Sequence, residues 1–221
     1  DALTANTTGT QNTALGSSAL GGNTTGASNT AIGRGVMFAN TTGANNTAIG
    51  FEALVSNTTG IRNTAIGESA LRANTTASQN TAVGYYALAT NTAGLYNVAV
   101  GLESLEDNTS GDNNTAVGYQ AGHTNTTGES NTSFGYQALY ANTTGSSNTA
   151  LGKNSGNNIT TGYKNTFVGL LAGQTFTTGN WNVCIGNEAG YNRTTDDASL
   201  WIARSNTPER NAATWIYGTS T

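Results

Sequence analysis

The sequence is built on a pentapeptide, Asn-Thr-Ala-Ile-Gly, that returns every seventeen residues. Exact copies begin at Asn29, Asn46 and Asn63, and variants begin at further asparagines: Asn12, Asn80, Asn97, Asn114, Asn131, Asn148, Asn165 and Asn182. None of the intervals contains an insertion or a deletion. A spacing this strict over eleven copies indicates a solenoid in which each repeat forms one coil.

We number the seventeen positions of each coil as slots, with the pentapeptide asparagine in slot one. Slot three is small in most coils, slot four is apolar in all of them, and slot five is always glycine. A second apolar pair, often Ala-Leu, occupies slots eight and nine, and slots twelve to fifteen usually read Asn-Thr-Thr-Gly. β-Branched runs bounded by Gly and Asn are typical of short strands and turns. The pattern predicts an all-β parallel β-solenoid, or β-roll, with two strands per coil at slots two to four and seven to nine.

Two columns of the repeat have a structural explanation. The slot-five glycine is expected where the backbone needs a positive φ or closely approaches a neighbour. The asparagines of slots one and twelve are expected to stack as hydrogen-bonded ladders. Because stacked strands lie about 4.8 Å apart, eleven coils predict a rod on the order of 50 Å long.

Apolar residues on both faces of a strand predict contact between chains. Consecutive strand residues point to opposite faces, yet slots three and four are both apolar, as are slots eight and nine. Such a strand must be covered on both faces, and a seventeen-residue coil is too thin to do this alone. We expect one face to fill the coil and the other to meet further copies, most simply in a homotrimer about the long axis. The structural core and trimer columns include Ala31, Ile32, Ala48, Ile49, Ala65, Ile66, Leu54, Leu71 and Leu88.

The composition argues against several function classes. Charged residues make up 9% of the chain, and the net charge is −4 without a basic patch, so nucleic acid is not expected as a partner. No apolar run reaches the roughly 20 residues that span a bilayer, and membrane insertion is not expected. The only cysteine, Cys184, lies in a slot-three position and is expected to be a buried free thiol. Asn-Thr-Thr is also an N-glycosylation acceptor, and glycans on nearly every coil would obstruct stacking, which favours a bacterial or viral source.

The variable slots carry the candidate binding residues. Variation concentrates at slots six, seven, ten, eleven, sixteen and seventeen, which are expected to face outward, where solenoids usually carry function. Aromatic side chains there could stack on sugar rings or pack over neighbouring coils, and both interpretations stay open. The candidate surface aromatics for glycan binding are Phe51, Tyr85, Tyr119, Tyr136, Tyr140 and Trp181.

The sequence offers little for catalysis or metal binding. His123 is the only histidine, which excludes a His-based triad or a multi-histidine cluster within one chain, and slot ten is expected to point it outward. Without EF-hand spacing, the acidic residues predict a solvated belt rather than a calcium site: Glu103, Glu106, Asp107, Asp112 and Glu129. Adjacent carboxylates on a strand point apart, so no glycosidase pair is expected. We expect no catalytic activity, no cofactor and no metal site.

The periodicity weakens after Gly186, where an eroded pentapeptide precedes the only proline and a last apolar run. Terminal repeats of solenoids are atypical because they close an exposed strand edge. Leu200–Ala203 and Trp215–Tyr217 therefore predict two strands of a cap. The predicted organisation is a repeat solenoid over residues 1–198 and a C-terminal cap over residues 199–221.

Repeats of the form Asn-Thr-Ala-Ile-Gly-x-x-Ala-Leu followed by Asn-Thr-Thr-Gly resemble those in the shafts of tail fibres of phages and phage-like particles. In that family such shafts often precede an endosialidase-type intramolecular chaperone, which drives trimer assembly and then cleaves itself off. The run from Leu200 to Gly218 looks like the segment that leads into this chaperone, so the resemblance implies a missing or cleaved chaperone beyond the cap. The pentapeptide is also similar to the Asn-Ser-Val-Ala-Ile-Gly head repeats of trimeric autotransporter adhesins, which form left-handed parallel β-rolls with shorter coils.

The resemblance implies a structural and binding role. The first expectation is a segment of a homotrimeric tail fibre, in a virion or an extracellular phage-like particle, that contacts a glycan or receptor on a bacterial surface. The alternative is the head of a trimeric adhesin on a bacterial cell. A third interpretation is ice binding, which needs threonines two residues apart on one face of a strand, whereas the adjacent Thr24 and Thr25 are expected to diverge.

Overall fold

A computed structural model describes residues 1–203 and 214–219 of the 221-residue chain. This part contains thirteen β-strands and no helix. The first eleven strands, β1 to β11, are three residues long and recur every seventeen residues: Thr13–Leu15, Thr30–Ile32, Thr47–Ile49, Thr64–Ile66, Thr81–Val83, Val98–Val100, Thr115–Val117, Thr132–Phe134, Thr149–Leu151, Thr166–Val168 and Val183–Ile185. They are followed by β12 (Ser199–Ala203) and β13 (Thr214–Thr219). The predicted all-β parallel solenoid with seventeen-residue coils is confirmed.

One sheet connects all thirteen strands in sequence order. Strands β1 to β12 are parallel and pair in register, so that Ala48 lies opposite Ala65 and Ile49 opposite Ile66. Identical slots therefore form columns along the rod. β13 pairs antiparallel with β12 at the end of the sheet, so both strands predicted near the C-terminus are present. Pro208 lies outside the described residues.

The prediction of a second strand in each coil, at slots seven to nine, is wrong, because these residues form turns. In the coil that begins at Asn63, three tight turns follow one another, closed by bonds from the amides of Ala70, Arg72 and Asn74 to the carbonyls of Gly67, Ser69 and Leu71. Slots seven and nine have positive φ in nearly every coil, and Leu71 has φ 52°. Amides of this segment also bond to the next coil, as Leu71 does to the carbonyl of Ala87 over 3.0 Å. Backbone bonds thus join the coils on this side without a regular strand.

Because of this turn geometry, both residues of the second apolar pair, in slots eight and nine, point into the coil. Ala53 and Leu54, in slots eight and nine, are both fully buried inside the coil, whereas a strand would have turned one of them outward. The prediction that slots eight and nine supply a chain–chain contact is therefore wrong. Leu54, Leu71 and Leu88 fill the interior together with the slot-three alanines Ala31, Ala48 and Ala65. Of the predicted core and trimer columns, only the slot-four residues Ile32, Ile49 and Ile66 lie on the outer face.

The two asparagine ladders are present as predicted. In slot one, Asn46 donates its backbone N–H to Asn29 Oδ1 (3.0 Å) and its Nδ2 to the carbonyl of Gly60 (2.9 Å). In slot twelve, Asn57 Nδ2 donates to Asn40 Oδ1 (2.8 Å) and also to the carbonyl of Gly60 (3.1 Å). These asparagines are buried. Because buried polar groups are costly unless paired, the ladders bind each return loop to the sheet.

The slot-five glycine meets both of the predicted requirements. Gly50 has φ 131°, and a Cβ placed on it would lie 2.6 Å from the carbonyl oxygen of Gly67 in the next coil. Any other residue would be strained by its backbone and would clash with the neighbouring coil.

The interior changes composition towards the C-terminus. In the coils that begin at Asn148 and Asn165, slot nine holds Gly156 and Gly173 instead of leucine. Phe167 occupies the space between them from slot three, since a Cβ on Gly156 would lie 2.6 Å from its ring. The Phe167 ring packs 5.6 Å from that of Phe176, which replaces the slot-twelve asparagine. One large residue in slot three thus compensates for two small ones in slot nine.

Candidate interaction surfaces

The outer face of the sheet carries a continuous apolar column. Slot-three side chains point into the coil, so slot four projects outward from every strand of the solenoid. The exposed fraction is 36% for Ile49, 52% for Phe134 and 67% for Leu15. We call this column, together with the exposed apolar residues of slot six, the apolar stripe; its slot-six members are Phe51, Tyr85, Leu102, Tyr119, Tyr136 and Leu170.

A column of threonines shares this outer face. Slot two is threonine in most coils and lies two residues before slot four, so Thr47 and Ile49 project from the same side of their strand. The adjacent threonines of the return loop have a different role, because the Thr24 hydroxyl donates to the carbonyl of Thr41 over 3.0 Å. The slot-two column was missed in the sequence, although its position two residues from slot four was sufficient to find it.

The six candidate aromatics lie along three different lines of the rod. Phe51, Tyr85, Tyr119 and Tyr136 belong to slot six, where the rings of Tyr119 and Tyr136 stack at 5.1 Å. Cations also lie over this line, since Lys153 Nζ is 5.4 Å from the Tyr136 ring and the Arg34 guanidinium 5.6 Å from the Phe51 ring. These contacts stabilise the exposed rings within the chain.

The two remaining candidates are Tyr140 and Trp181. Tyr140, in slot ten, is half-buried and stacks on the imidazole of His123 at 5.1 Å. Trp181, in slot seventeen, is 54% exposed and lies edge-on to Tyr163 with 6.3 Å between ring centroids. Lys164 Nζ is 4.0 Å from the Trp181 ring. Trp181, Tyr163 and Lys164 form the aromatic edge, a small surface on a different line of the rod from the stripe.

The acidic residues do not form the uniform solvated belt that was predicted. Glu103, Glu106 and Asp107 surround His123, whose side chain is 16% exposed rather than pointing freely outward. Asp112 is engaged elsewhere, where its Oδ1 accepts the backbone N–H of Leu95 at 2.7 Å. The signal for the cluster was present in the sequence, because Glu106 and His123 are seventeen residues apart and therefore adjacent in the slot-ten column.

This cluster contains more acidic groups than basic ones. Burial raises the pKa of Glu106 above its ordinary value of 4.5; the charge of His123 opposes the rise, and Glu103 and Asp107 add to it. Three carboxyl groups thus share one imidazole in a partly buried position. This arrangement favours an additional positive charge, whether a proton or a cation.

Cys184 is the buried free thiol that was predicted. Burial, with a smaller contribution from the charge of Asp196, raises the pKa of the Cys184 thiol to about 12. Because only the thiolate is nucleophilic, this cysteine is unreactive at neutral pH.

Two hollows on the surface of the rod are both small. One of about 240 Å³ is lined by residues that include Arg34, Phe38 and Glu52, and one of about 270 Å³ by residues that include Arg72, Tyr86 and Glu106. Pockets for drug-sized ligands usually start near 300 Å³ and enclose most of the ligand. Neither hollow therefore has the volume typical of a site for such a ligand.

Comparison with known proteins gives no relative for this chain: no family model matches it, and neither a curated protein nor a solved structure is detectably similar. Among the described residues, no helix has the length and apolar character required to span a bilayer.

Proposed function

We propose that this chain is a shaft segment of a homotrimeric tail fibre, in a virion or an extracellular phage-like particle, and that its copies meet along the apolar stripe. The observation that carries the proposal is the outward slot-four column, which is apolar in eleven successive coils. Monomeric soluble proteins rarely expose a contiguous apolar patch of more than a few hundred Å². A second copy of the chain is the simplest cover for such a column.

The in-register columns favour a closed assembly about the rod axis. Because the strands pair in register from β1 to β12, the stripe runs parallel to the stacking direction and can meet the same stripe of other copies along its length. Rotational symmetry closes such contacts, whereas open contacts would extend into sheets or fibres. Three copies would place the slot-four side chains around a common axis, in agreement with the trimers of the fibres and adhesins that the repeat resembles.

Light scattering on the purified chain tests this proposal. We expect a mass near three times the 22.5 kDa of one chain. The double substitution Ile49→Lys and Ile66→Lys places charges in the stripe and should dissociate the trimer, because an uncompensated buried charge is strongly unfavourable. Thr42→Lys and Thr59→Lys add the same charges at exposed slot-fourteen positions of the return loop and should leave the mass unchanged. A monodisperse wild-type monomer would overturn the proposal.

The contact with a bacterial surface is assigned to the aromatic edge. In the proposed trimer the slot-six aromatics lie beside the interface, whereas Trp181 and Tyr163 belong to another line of the rod and stay exposed. Aromatic rings with a neighbouring cation suit recognition of a sugar that carries an anionic group. On a glycan array, Trp181→Ala should abolish the signal, whereas Tyr96→Ala, which removes an exposed aromatic from the same slot, should retain it. A wild-type chain that binds no glycan would contradict this assignment and leave a purely structural shaft.

The head of a trimeric surface adhesin is the alternative with the same architecture, and the same stripe would form its trimer. Ice binding is favoured by one observation, the slot-two threonines and slot-four aliphatic residues that share the outer face. This face can be covered by other copies or exposed to water, but not both. A monomer with strong thermal hysteresis would therefore favour ice binding, whereas a trimer with no thermal hysteresis would exclude it.

A further inference from the structure

Side chains of the types that bind metal ions are concentrated at one place in the rod. Slots seven and ten of the coil that begins at Asn97 hold Glu103 and Glu106, and slot ten of the next coil holds His123. Charged residues make up only 9% of the chain, and this histidine is the only one. The repeat itself does not require these residues, because slots seven and ten vary widely in other coils, from Ser18 and Tyr86 to Val55 and Arg72.

The donor atoms are close enough to share one ion. His123 Nε2 lies 3.2 Å from Glu106 Oε2 and 3.9 Å from Glu103 Oε2, and one ligand atom from each residue falls within 4.8 Å of the others. Zinc binds imidazole nitrogen and carboxylate oxygen at about 2.0–2.2 Å, which puts neighbouring ligand atoms roughly 3–3.5 Å apart. Small rotations of the two glutamate side chains would bring all three donors to these distances.

The surrounding residues orient the donors. Gln120 Nε2 donates to Glu103 Oε2 (2.7 Å), and Gln137 Nε2 donates to Gln120 Oε1 (2.7 Å). The imidazole is held by stacking on the Tyr140 ring, 5.1 Å away. Glu103 and His123 are thus each held by a residue of the coil that follows their own.

The second nitrogen of the imidazole gives an independent indication. His123 Nδ1 is buried without a hydrogen-bond partner, and Asp107 Oδ2 lies 3.7 Å from it. Histidines that bind metals through one nitrogen nearly always donate the other N–H to a carboxylate, carbonyl or water. Asp107 occupies the position of that acceptor and needs to approach by less than 1 Å for a normal hydrogen bond.

We propose that Glu103, Glu106 and His123 bind one divalent transition-metal ion of the zinc type, which fastens two adjacent coils together. Three protein ligands leave a fourth position for water, as in zinc sites with an open position. The imidazole argues against calcium, which takes six to eight oxygen ligands. Two carboxylates balance the charge of a divalent ion.

Isothermal titration of the full chain with ZnCl₂ at pH 7 tests the proposal. We expect one ion per chain and an affinity that falls at least tenfold in His123→Gln and in Glu106→Gln. Asp107→Asn, which alters only the acceptor at Nδ1, should lower the affinity by about tenfold, the smaller effect typical of an outer partner. Glu129→Gln removes the same charge at an exposed position of the next coil and should bind like the wild type.

The single histidine allows a second measurement that needs no variant. The wild-type chain has one imidazole, so its ring resonances in a ¹H–¹⁵N or ¹H–¹³C NMR spectrum are unambiguous. We expect one equivalent of Zn²⁺ to shift the Nε2 signal, and CaCl₂ at the same concentration to leave it unchanged. Absence of zinc binding, equal affinity in His123→Gln, or a zinc titration that leaves the imidazole signals in place would overturn the proposal.

Discussion

At the scale of single residues, the slot-twelve asparagines join each coil to both of its neighbours. Asn57 donates to Asn40 and to the carbonyl of Gly60, and its Oδ1 accepts from Asn74 Nδ2 at 2.9 Å. The ladder ends at Asn142, because slot twelve of the following coil is Ile159, which has no amide to donate. Asn142 Oδ1 is accordingly buried without a hydrogen-bond partner.

Asn57 Oδ1 accepts a hydrogen bond and Asn142 Oδ1 does not, so the same substitution should lower the free energy of unfolding by different amounts at the two positions. Asn57→Ala removes a side chain that both donates and accepts, and we expect it to lower the free energy of unfolding by about 3 kcal/mol. Asn142→Ala removes a side chain whose oxygen is already unpaired, so its cost should be smaller by about 1–2 kcal/mol. Urea denaturation of the two variants measures the difference. Equal losses would show that the ladder is not a chain of coupled bonds.

Cys184 gives a second prediction at this scale, on the effect of alkaline pH. The folded thiol has a pKa of about 12, against an ordinary value of 9.0. Above pH 9 the unfolded chain releases this proton and the folded chain does not, so stability is complete below pH 9 and falls as pH rises toward 12, by up to about 1.4 kcal/mol per pH unit from this group. Cys184→Ala, which restores the usual slot-three residue, should flatten this part of the pH profile of unfolding.

Because the variant differs from the wild type only at this residue, the comparison between the two proteins isolates the thiol. A thiol reagent gives an independent check. Cys184 should react slowly at pH 8 in the folded chain and rapidly in urea, and rapid labelling of the folded chain would contradict the assignment.

At the scale of elements, each coil consists of one short strand, a run of turns and a return loop. The strand at slots two to four was predictable, because β-branched residues in slots two and four flank a small residue in slot three, between bounding Asn and Gly. The asparagine ladders were predictable for a similar reason, since identical amides repeated at a fixed spacing can only stack. Both inferences depend on residue types that have few structural alternatives.

The turns at slots six to twelve were not predictable in the same way. Glu52 and Leu54 have φ near 52°, a conformation that costs roughly 1–2 kcal/mol outside glycine, and neither residue type signals it. Cooperation between adjacent coils stabilises this backbone through bonds that only the assembled solenoid contains. At the His123 cluster, the spacing of seventeen residues was sufficient to place Glu106 beside His123, whereas the approach of Glu103 depends on how these turns orient the side chains of slots seven and ten.

The large Phe167 in slot three fills space that the glycines of slot nine leave open. We therefore expect mutations at these two slots to have coupled effects on stability. Phe167→Ala should cost about 3–5 kcal/mol, because the interior cannot close the space left by the ring. Gly173→Leu should also destabilise the fold, since its side chain would collide with Phe167. Leucine itself is compatible with this backbone, as Leu71 has φ 52° in the same slot and Gly173 has φ 61°.

The double variant Phe167→Ala with Gly173→Leu restores the residues that other coils use in these slots. It should be more stable than the sum of the single effects predicts, by about 1–3 kcal/mol of coupling energy. Denaturation of the four proteins in the cycle measures this coupling. Additive losses would mean that the two positions do not share one space.

At the scale of the whole molecule, the strict period makes each coil a unit that contacts only the coil before and the coil after it. Side-chain hydrogen bonds between coils mostly connect residues seventeen apart, as in both asparagine ladders, and paired strand residues are also seventeen apart. Repeat proteins of this kind have a stability that is close to a sum over repeats and their interfaces. The number of coils is therefore adjustable, whereas the length of a coil is not.

Deletion of one coil tests this directly. Removing residues 63–79 joins Arg62 to Asn80 in the same slots, so Asn80 should stack on Asn46 and the ladders should continue. The circular dichroism spectrum and the transition temperature should change little, and the denaturant m-value should fall by about 8%, in proportion to the surface lost. The deleted coil lies apart from the His123 cluster and the aromatic edge, so zinc and glycan binding should be retained.

Removing one residue more, 63–80, is the matched control. It leaves a coil without its slot-one asparagine, so the strand that follows the junction, β5, must shift by one residue to pair with β3. A shift of one residue turns the buried side chains of a strand outward, and the loop carbonyls lose their asparagine donors at the junction. We expect this variant to unfold at a much lower temperature than the whole-coil deletion. A missing coil removes two interfaces and creates one in register, whereas the shortened coil leaves an interface whose columns are out of register. Similar losses from the two deletions would contradict the additive description of the rod.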